Sequence, residues 1–229
     1  MIVWISSYPK SGNTWMRALL AYYFFSKTKK FDFSLLKHIP NFNVSDFIHE
    51  KKPLKTNEDI IENWVPVQKF INEKFKRSLF FKTHNICITN DGKKFTNNKV
   101  SAGCIYIVRD PRNVITSYKN FENETYDKTL KNIFNENHFL LSNESTFKRF
   151  GIKGIEVIGS WSQHYNSWVH NKLNIPVCLI KYEDLIKNPS LEFEKVFNFL
   201  KVINNESNTT IDKNRLKETI GQTDFKNLK

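Results

Sequence analysis

The sequence predicts an α/β fold: a single domain on a central parallel sheet flanked by helices. Three observations predict it. Four short runs, Ile2–Ser6, Leu79–Thr83, Cys104–Val108 and Val177–Lys181, are nearly apolar throughout, as strands buried on both faces are. Segments with helical spacing separate them, and strands alternating with helices favour parallel pairing. The length of 229 residues suits one substantial core rather than two small ones.

Taken in order, the first strand ends at Ser6 and a loop with one glycine follows. A helix is predicted over Thr14–Phe25. The segment Lys27–Lys76 is long, polar and aromatic-rich, and precedes the second strand. After the third strand, Pro111 is well placed near a helix start, which predicts a helix over Arg112–Tyr118. A second long mixed segment, Lys119–Ile158, follows. Beyond the fourth strand, Phe193, Val196, Phe197 and Leu200 share one side of a predicted helix over Leu191–Leu200. The inserts 27–76 and 119–158 are expected to cover the crevice beyond the strands' carboxyl ends and to carry acceptor specificity. There is no internal repeat and no low-complexity linker.

Composition excludes several classes. No stretch approaches the roughly 20 apolar residues of a membrane helix. Met1 leads at once into Ile2-Val3-Trp4-Ile5 with no basic flank, so no signal peptide and a cytoplasmic location are expected. The net charge is 35 − 23 = +12. The lysines are spread out, and Asn, Ile and Phe are abundant too. The excess therefore reads first as compositional bias, and no nucleic-acid partner is expected. It helps a polyanionic ligand in either case. Cys87, Cys104 and Cys178 form no Cys-x-x-Cys pair and no metal-ligand spacing, so buried free thiols are expected and no metal.

Chemistry concentrates after the strand ends. In Tyr8-Pro9-Lys10-Ser11-Gly12-Asn13-Thr14-Trp15, backbone N–H groups at the turn converge with a helix N-terminus into an anion site. Gly12 permits close backbone approach and Lys10 adds a mobile charge. A plain strand–turn–helix corner would use the same glycine. A Walker loop would place its Lys after a second Gly; here Lys10 precedes Gly12 and no earlier Gly exists. Arg109 ends the third strand and offers a charged fork, and Ser117 lies eight positions on. Lys82 and His84 are two apart at a strand end and so point the same way.

The loop resembles the phosphosulfate-binding loop of sulfotransferases that use PAPS (3′-phosphoadenosine 5′-phosphosulfate), Tyr-Pro-Lys-Ser-Gly-Thr-Thr-Trp. Asn13 is the one difference, and as a good helix cap it is expected to be tolerated. Arg109-Asp110-Pro111 through Ser117 is similar to the family's 3′-phosphate motif. Lys82-Thr83-His84 is similar to its catalytic segment. Gly159-Ser160-Trp161 resembles a segment of bacterial members, with Trp161 expected in the core. Lys181-Tyr182-Glu183-Asp184 resembles its Tyr-Glu-Asp segment, and Thr223-Asp224-Phe225 its Thr-Ser-Phe segment with Asp224 departing; each could equally be ordinary packing.

The resemblance implies a PAPS site with PAP as product and no metal. Lys10, Ser11, Gly12, Asn13, Thr14 and Trp15 would hold the phosphosulfate end, with Trp15 able to stack on the adenine. Arg109 and Ser117 would hold the 3′-phosphate, and Tyr182, Thr223 and Phe225 would surround the adenine. It also implies His84 as general base, Lys10 at the bridging oxygen and Lys82 at the equatorial oxygens of an in-line transfer. The acceptor would be a hydroxyl-bearing small molecule, lipid or glycan, or an amine. The Arg-Lys-Gly loop that closes over the phosphates in many members has no counterpart in the sequence. Two other readings stay open: a P-loop kinase, which would need a Walker loop and a magnesium-binding Asp, for which Asp110 is the nearest, and a catalytically inactive nucleotide-binding relative.

Overall fold

The computed structural model describes residues 1–48, 54–141, 147–148, 151, 154–206, 208–224 and 227. The chain runs β1 (Ile2–Ser7), α1 (Asn13–Phe25), two 3-10 turns (Phe33–His38, Val44–Asp46), α2 (Asn57–Glu62), α3 (Trp64–Phe75) and β2 (Leu79–Thr83). It continues through β3 (Ser101–Val108), α4 (Pro111–Glu122), α5 (Tyr126–Phe134), β4 (Phe139–Leu141), β5 (Ile155–Val157) and α6 (Trp161–Val169). Last come β6 (Val177–Lys181), α7 (Tyr182–Lys187), α8 (Pro189–Asn204) and α9 (Lys213–Gln222).

All four expected strands form, and they pair parallel in the order β2-β1-β3-β6. Every residue of β1 is buried, because its alternate side chains enter different clusters. Ile2 and Trp4 pack with Trp64, Phe81, Phe95 and Trp168 on one face. Val3 and Ile5 pack with Leu19, Ile105, Ile180 and Phe193 on the other. The Trp4 indole N–H is satisfied by Ser101 Oγ at 2.7 Å, which lets so large a polar side chain sit in the core.

The register sets Ser6 beside Thr83, Ser7 beside Ile107 and Val108 beside Lys181. All four carboxyl ends therefore meet one edge. The chain leaves β1 to one side for β2 and returns to the other for β3, so a switch point falls beside β1, where open α/β sheets bind ligands.

Helix bounds differ from expectation for physical reasons. Pro111 is inside α4, and Asp110 caps it by accepting the Arg112 N–H at 2.9 Å. Asn13 does not cap α1. Gly12 holds the cap position with φ 100°, and Asn13 is the first helical residue. Its amide turns back to β1, donating to the Ile5 carbonyl at 3.1 Å and to Ser7 Oγ at 3.3 Å.

The inserts divide unequally. In 27–76, Phe42, Val44, Ile60, Trp64, Val67 and Ile71 are buried against Trp4, so its aromatics cover a face of the sheet. An edge of it runs along β2: Lys82 N–H donates to the Pro40 carbonyl at 2.8 Å, and Phe42 N–H to the Lys82 carbonyl at 2.9 Å. In 119–158, β4 and β5 form a separate antiparallel ribbon that pairs Leu140 with Glu156. The three cysteines are buried and free. Among the described residues, no helix is long and apolar enough to cross a membrane.

Phe193 is fully buried, 5.0 Å from the Tyr23 ring, and locks α8 onto the sheet. Phe193→Ala is expected to lower unfolding free energy by about 3–5 kcal/mol, measured by denaturant titration; a loss below about 1 kcal/mol would contradict this packing.

Candidate active site

A cleft of about 660 Å³ opens at the carboxyl edge of the sheet. Its walls include Lys10, Gly12, Asn13, Trp15, Lys82, His84, Arg109, Ser117 and Tyr182, together with Glu156. All but Lys82, inside β2, and Glu156, inside β5, follow a strand end or sit on the helix that leaves one.

The β1–α1 loop is bent by two left-handed residues, Lys10 (φ 67°) and Gly12 (φ 100°). Such alternation turns successive N–H groups into one concavity, and the α1 N-terminus adds its dipole. Gly12 is required twice. Its φ disfavours a side chain, and an added Cβ would lie 2.4 Å from Tyr182 Cδ2. Tyr182 in turn meets the Trp15 ring edge-on at 6.2 Å and carries the Arg109 guanidinium 4.5 Å above its face. Arg109 also donates to the Lys10 carbonyl at 3.0 Å, tying the ends of β1 and β3 together.

Ser11 Oγ and Arg109 Nε are buried with no hydrogen-bond partner among the described residues. Leaving such donors unmet costs roughly 1–3 kcal/mol each, and of the two Arg109 lines the cleft, where an oxyanion suits it. Asn13 Oδ1 is also unmet, but it can only accept and so suits a hydroxyl or water. Lys10 reaches across to α4, where its ammonium lies 3.9 Å from the Phe121 ring centroid. Burial lowers its pKa, Glu122 opposes that, and Arg109 adds to the lowering.

His84 follows β2 and is held at three points. Its Nδ1–H donates to the Ser7 carbonyl at 2.7 Å. A carbonyl can only accept, so this bond assigns the tautomer and leaves the lone pair on Nε2. The His84 backbone N–H donates to Glu156 Oε1 at 2.8 Å. Its carbonyl accepts from His164 Nε2–H at 3.1 Å, and His164 Nδ1 accepts from the Tyr106 hydroxyl at 2.7 Å. Burial, with Lys82, Arg17 and Lys10 nearby, holds the His84 pKa well below its ordinary value, against the opposing Ser7 bond. Burial pushes His164 down to about 3. Lys82 Nζ lies 3.5 Å from Glu156 Oε2.

Among the expected site residues, the structure brings Lys10, Gly12, Asn13, Thr14, Trp15, Lys82, His84, Arg109, Ser117 and Tyr182 to one cleft. Ser11, in the same loop, is fully buried and does not line the cleft. Thr223 is not a lining residue: it is fully buried, and its hydroxyl donates to the Thr219 carbonyl at 2.8 Å. Phe225 lies outside the described residues. Trp161 is half-buried and stacked on Tyr165 at 5.9 Å. Asp110 is occupied by its cap and by the Arg112 guanidinium, whose Nε donates to it at 3.0 Å. Among the described residues of the first insert only Asn41 lines the cleft, whereas the second supplies Phe121, Glu122, Leu140, Leu141 and Glu156. Sequence reasoning missed Glu156, His164 and Tyr106. Glu156 stands amid short apolar residues, Ile155 and Val157, and that inward-facing charge was the available signal.

A parallel sheet with a strand–loop–helix anion corner at its switch point is the plan of a P-loop-like α/β protein. A family model described as "Sulfotransferase domain" matches residues 2–229, and the chain belongs to that family. It is 28% identical to rat sulfotransferase 1A1 over 205 residues, covering 86% of this chain and 58% of the relative. It is 23% identical to rabbit amine sulfotransferase over 236 residues, covering 99% and 62%. Among solved structures, mouse sulfotransferase SULT7A1 complexed with PAP aligns with TM-score 0.58 and 18% identity, over 99% of this chain and 64% of that one. Retinol dehydratase, in complex with androsterone and inactive cofactor PAP, aligns with TM-score 0.55 and 16% identity, over 99% and 65%. The chain thus spans about three fifths of the length of these relatives.

Two outcomes are expected. Gly12→Ala should destabilise the protein by roughly 1–3 kcal/mol, and Gly12→Ala/Tyr182→Ala should be less destabilised than the two single losses summed. Additive losses would refute the close contact. By histidine NMR, His84 and His164 should remain neutral at pH 6. Their folded pKa values lie below the unfolded 6.5, so the unfolded chain binds more protons as pH falls. Stability is therefore fully present above about pH 6.5 and lost progressively below it.

Proposed function

We propose that this chain transfers a sulfuryl group from PAPS to a hydroxyl or amine of an acceptor. The observation that carries the reading is His84: an imidazole fixed as the Nδ1–H tautomer, its Nε2 lone pair left as a base, in the cleft that also holds Gly12 and Arg109. A site that only binds a nucleotide has no need of a base so oriented.

The residues fit the donor. The Gly12 loop and the α1 N-terminus would hold its 5′ end. Ser11 Oγ and Arg109 Nε offer donors that lack a partner among the described residues. Arg109 and Ser117 would hold the 3′-phosphate, and Trp15 and Tyr182 would flank the adenine. When bound, the donor supplies an electrophilic sulfuryl group on a phosphate leaving group. His84 Nε2 takes the acceptor's proton, and the Ser7 carbonyl at Nδ1–H favours the imidazolium that forms. Lys82, with only a tenth of its side chain exposed, places positive charge in a partly dry wall, where charge stabilisation is stronger than in water. Lys10 would leave the Phe121 ring to face the charge developing on the leaving phosphate.

The acceptor would enter from the Phe121, Leu140 and Leu141 side, the part of the cleft furnished by the second insert. A hydroxyl-bearing small molecule, lipid or glycan suits that chemistry, in a cytoplasmic setting.

The test pairs binding with turnover. Calorimetry is expected to give binding of PAP and none of ATP with magnesium; preference for ATP would sink the reading. With labelled PAPS and an acceptor found by mass shift, His84→Ala should lose about 10²–10⁴ in kcat and keep PAP affinity. Because the His84 pKa is lowered, kcat/KM should be flat through pH 7 and fall only on acidification below its ordinary 6.5. Wild-type turnover in His84→Ala would remove it from the mechanism.

A further inference from the structure

Glu156 is a carboxylate with 13% of its side chain exposed, in a ribbon outside the main sheet. A carboxylate taken that far from water is costly unless charge and hydrogen bonds meet it. Both do. Oε1 accepts the His84 N–H at 2.8 Å, and Oε2 lies 3.5 Å from Lys82 Nζ. One side chain thus touches both groups that carry the proposed transfer. It holds His84 through the backbone, on the side opposite the His164 bond to the His84 carbonyl. The peptide of the base is fixed at both ends, and the imidazole is fixed at Nδ1 by Ser7. Glu156 also pairs across the ribbon with Leu140, which lines the acceptor side.

We propose that Glu156 is the positioning residue of the Lys82–His84 pair: it aims the base through the His84 N–H, supplies the counter-charge to Lys82, and joins both to the acceptor-side wall. This rests on the transfer reading above for the roles of Lys82 and His84. The charged and titratable groups around Lys82 are Glu156 from β5, Arg17 from α1 and the neutral His84 from its own segment. Burial lowers the Lys82 pKa most, Glu156 opposes this, and Arg17 adds to the lowering. Loss of the carboxylate charge therefore lets Lys82 shed its proton at lower pH. A purely structural Glu156 would leave that titration where it is once the fold is kept.

The full chain is compared with Glu156→Gln, which keeps an oxygen for the His84 N–H and removes the charge, and with Glu156→Asp, which keeps the charge. Lysine side-chain NMR follows Lys82, nitrogen-15 NMR follows the His84 tautomer, and calorimetry with PAP is run on the same samples. In Glu156→Gln the Lys82 midpoint should move to lower pH. With an acceptor that the wild type uses, kcat should fall about 10- to 100-fold at unchanged PAP affinity. Glu156→Asp should recover part of both. A Lys82 titration in folded Glu156→Gln identical to wild type overturns the proposal. If Glu156→Gln fails to fold, a Lys82 midpoint moved to lower pH together with a reduced kcat in Glu156→Asp supports the proposal, and a midpoint and kcat equal to wild type overturn it. A wild type that binds no PAP, yet whose Lys82 titration responds to Glu156→Gln, supports the pairing and overturns the transfer reading.

Discussion

The pairing of β1 with β2 on one side and β3 on the other sets the geometry on which the site depends. Because β1 is buried on both faces, its register is fixed by two different sets of core side chains. A slip of one residue would send Trp4 into the cluster that holds Ile5. With that register locked, Ser7, Thr83, Val108 and Lys181 end at one edge. The residues that follow them, the Gly12 loop, His84, Arg109 and Tyr182, have nowhere else to converge. The bond from His84 Nδ1 to the Ser7 carbonyl is a direct product of this alignment. So is the bond from Arg109 to the Lys10 carbonyl.

Electrostatics then divides the cleft. Lys10, Lys82 and Arg109 face it with Glu122 and Glu156 among them. Burial, with neighbouring cations adding to it, lowers the pKa of Lys10, Lys82 and His84, which keeps the imidazole neutral. The same crowding favours an anionic ligand, whose charges would relieve it. Carboxylates at selected cations keep the cluster from being wholly repulsive before such a ligand arrives.

Much of the fold was legible because it rests on local pattern. Each short apolar run is a strand, and the two central ones, β1 and β3, are the most fully buried on both faces. Pro111 opens α4, since its missing N–H costs nothing at a helix start. The Lys27–Lys76 segment left its aromatics open between core and cleft, because they are interleaved with charges. In three dimensions its aromatics Phe42 and Trp64 pack in the cluster that holds Trp4, and among its described residues only Asn41 reaches the cleft. Asn13 likewise suggests a cap by residue type. Gly12, able to adopt φ 100°, takes that position, and the Asn13 amide is drawn to β1.

The sequence by itself determined the chemistry: a Lys-before-Gly anion loop, Arg109 with Ser117 eight positions on, and Lys82-Thr83-His84 at a strand end. Motifs of this kind are contiguous, and residue type with spacing suffices to read them. Tertiary structure decided what those groups are in place. It fixed which nitrogen of His84 keeps its proton, set Lys10 on Phe121, and brought Glu156 from 72 residues away onto the His84 N–H. It also withdrew Thr223 from the cleft wall by turning its hydroxyl onto Thr219. These outcomes depend on distances between segments remote in sequence, and on how much water each group loses when those segments pack.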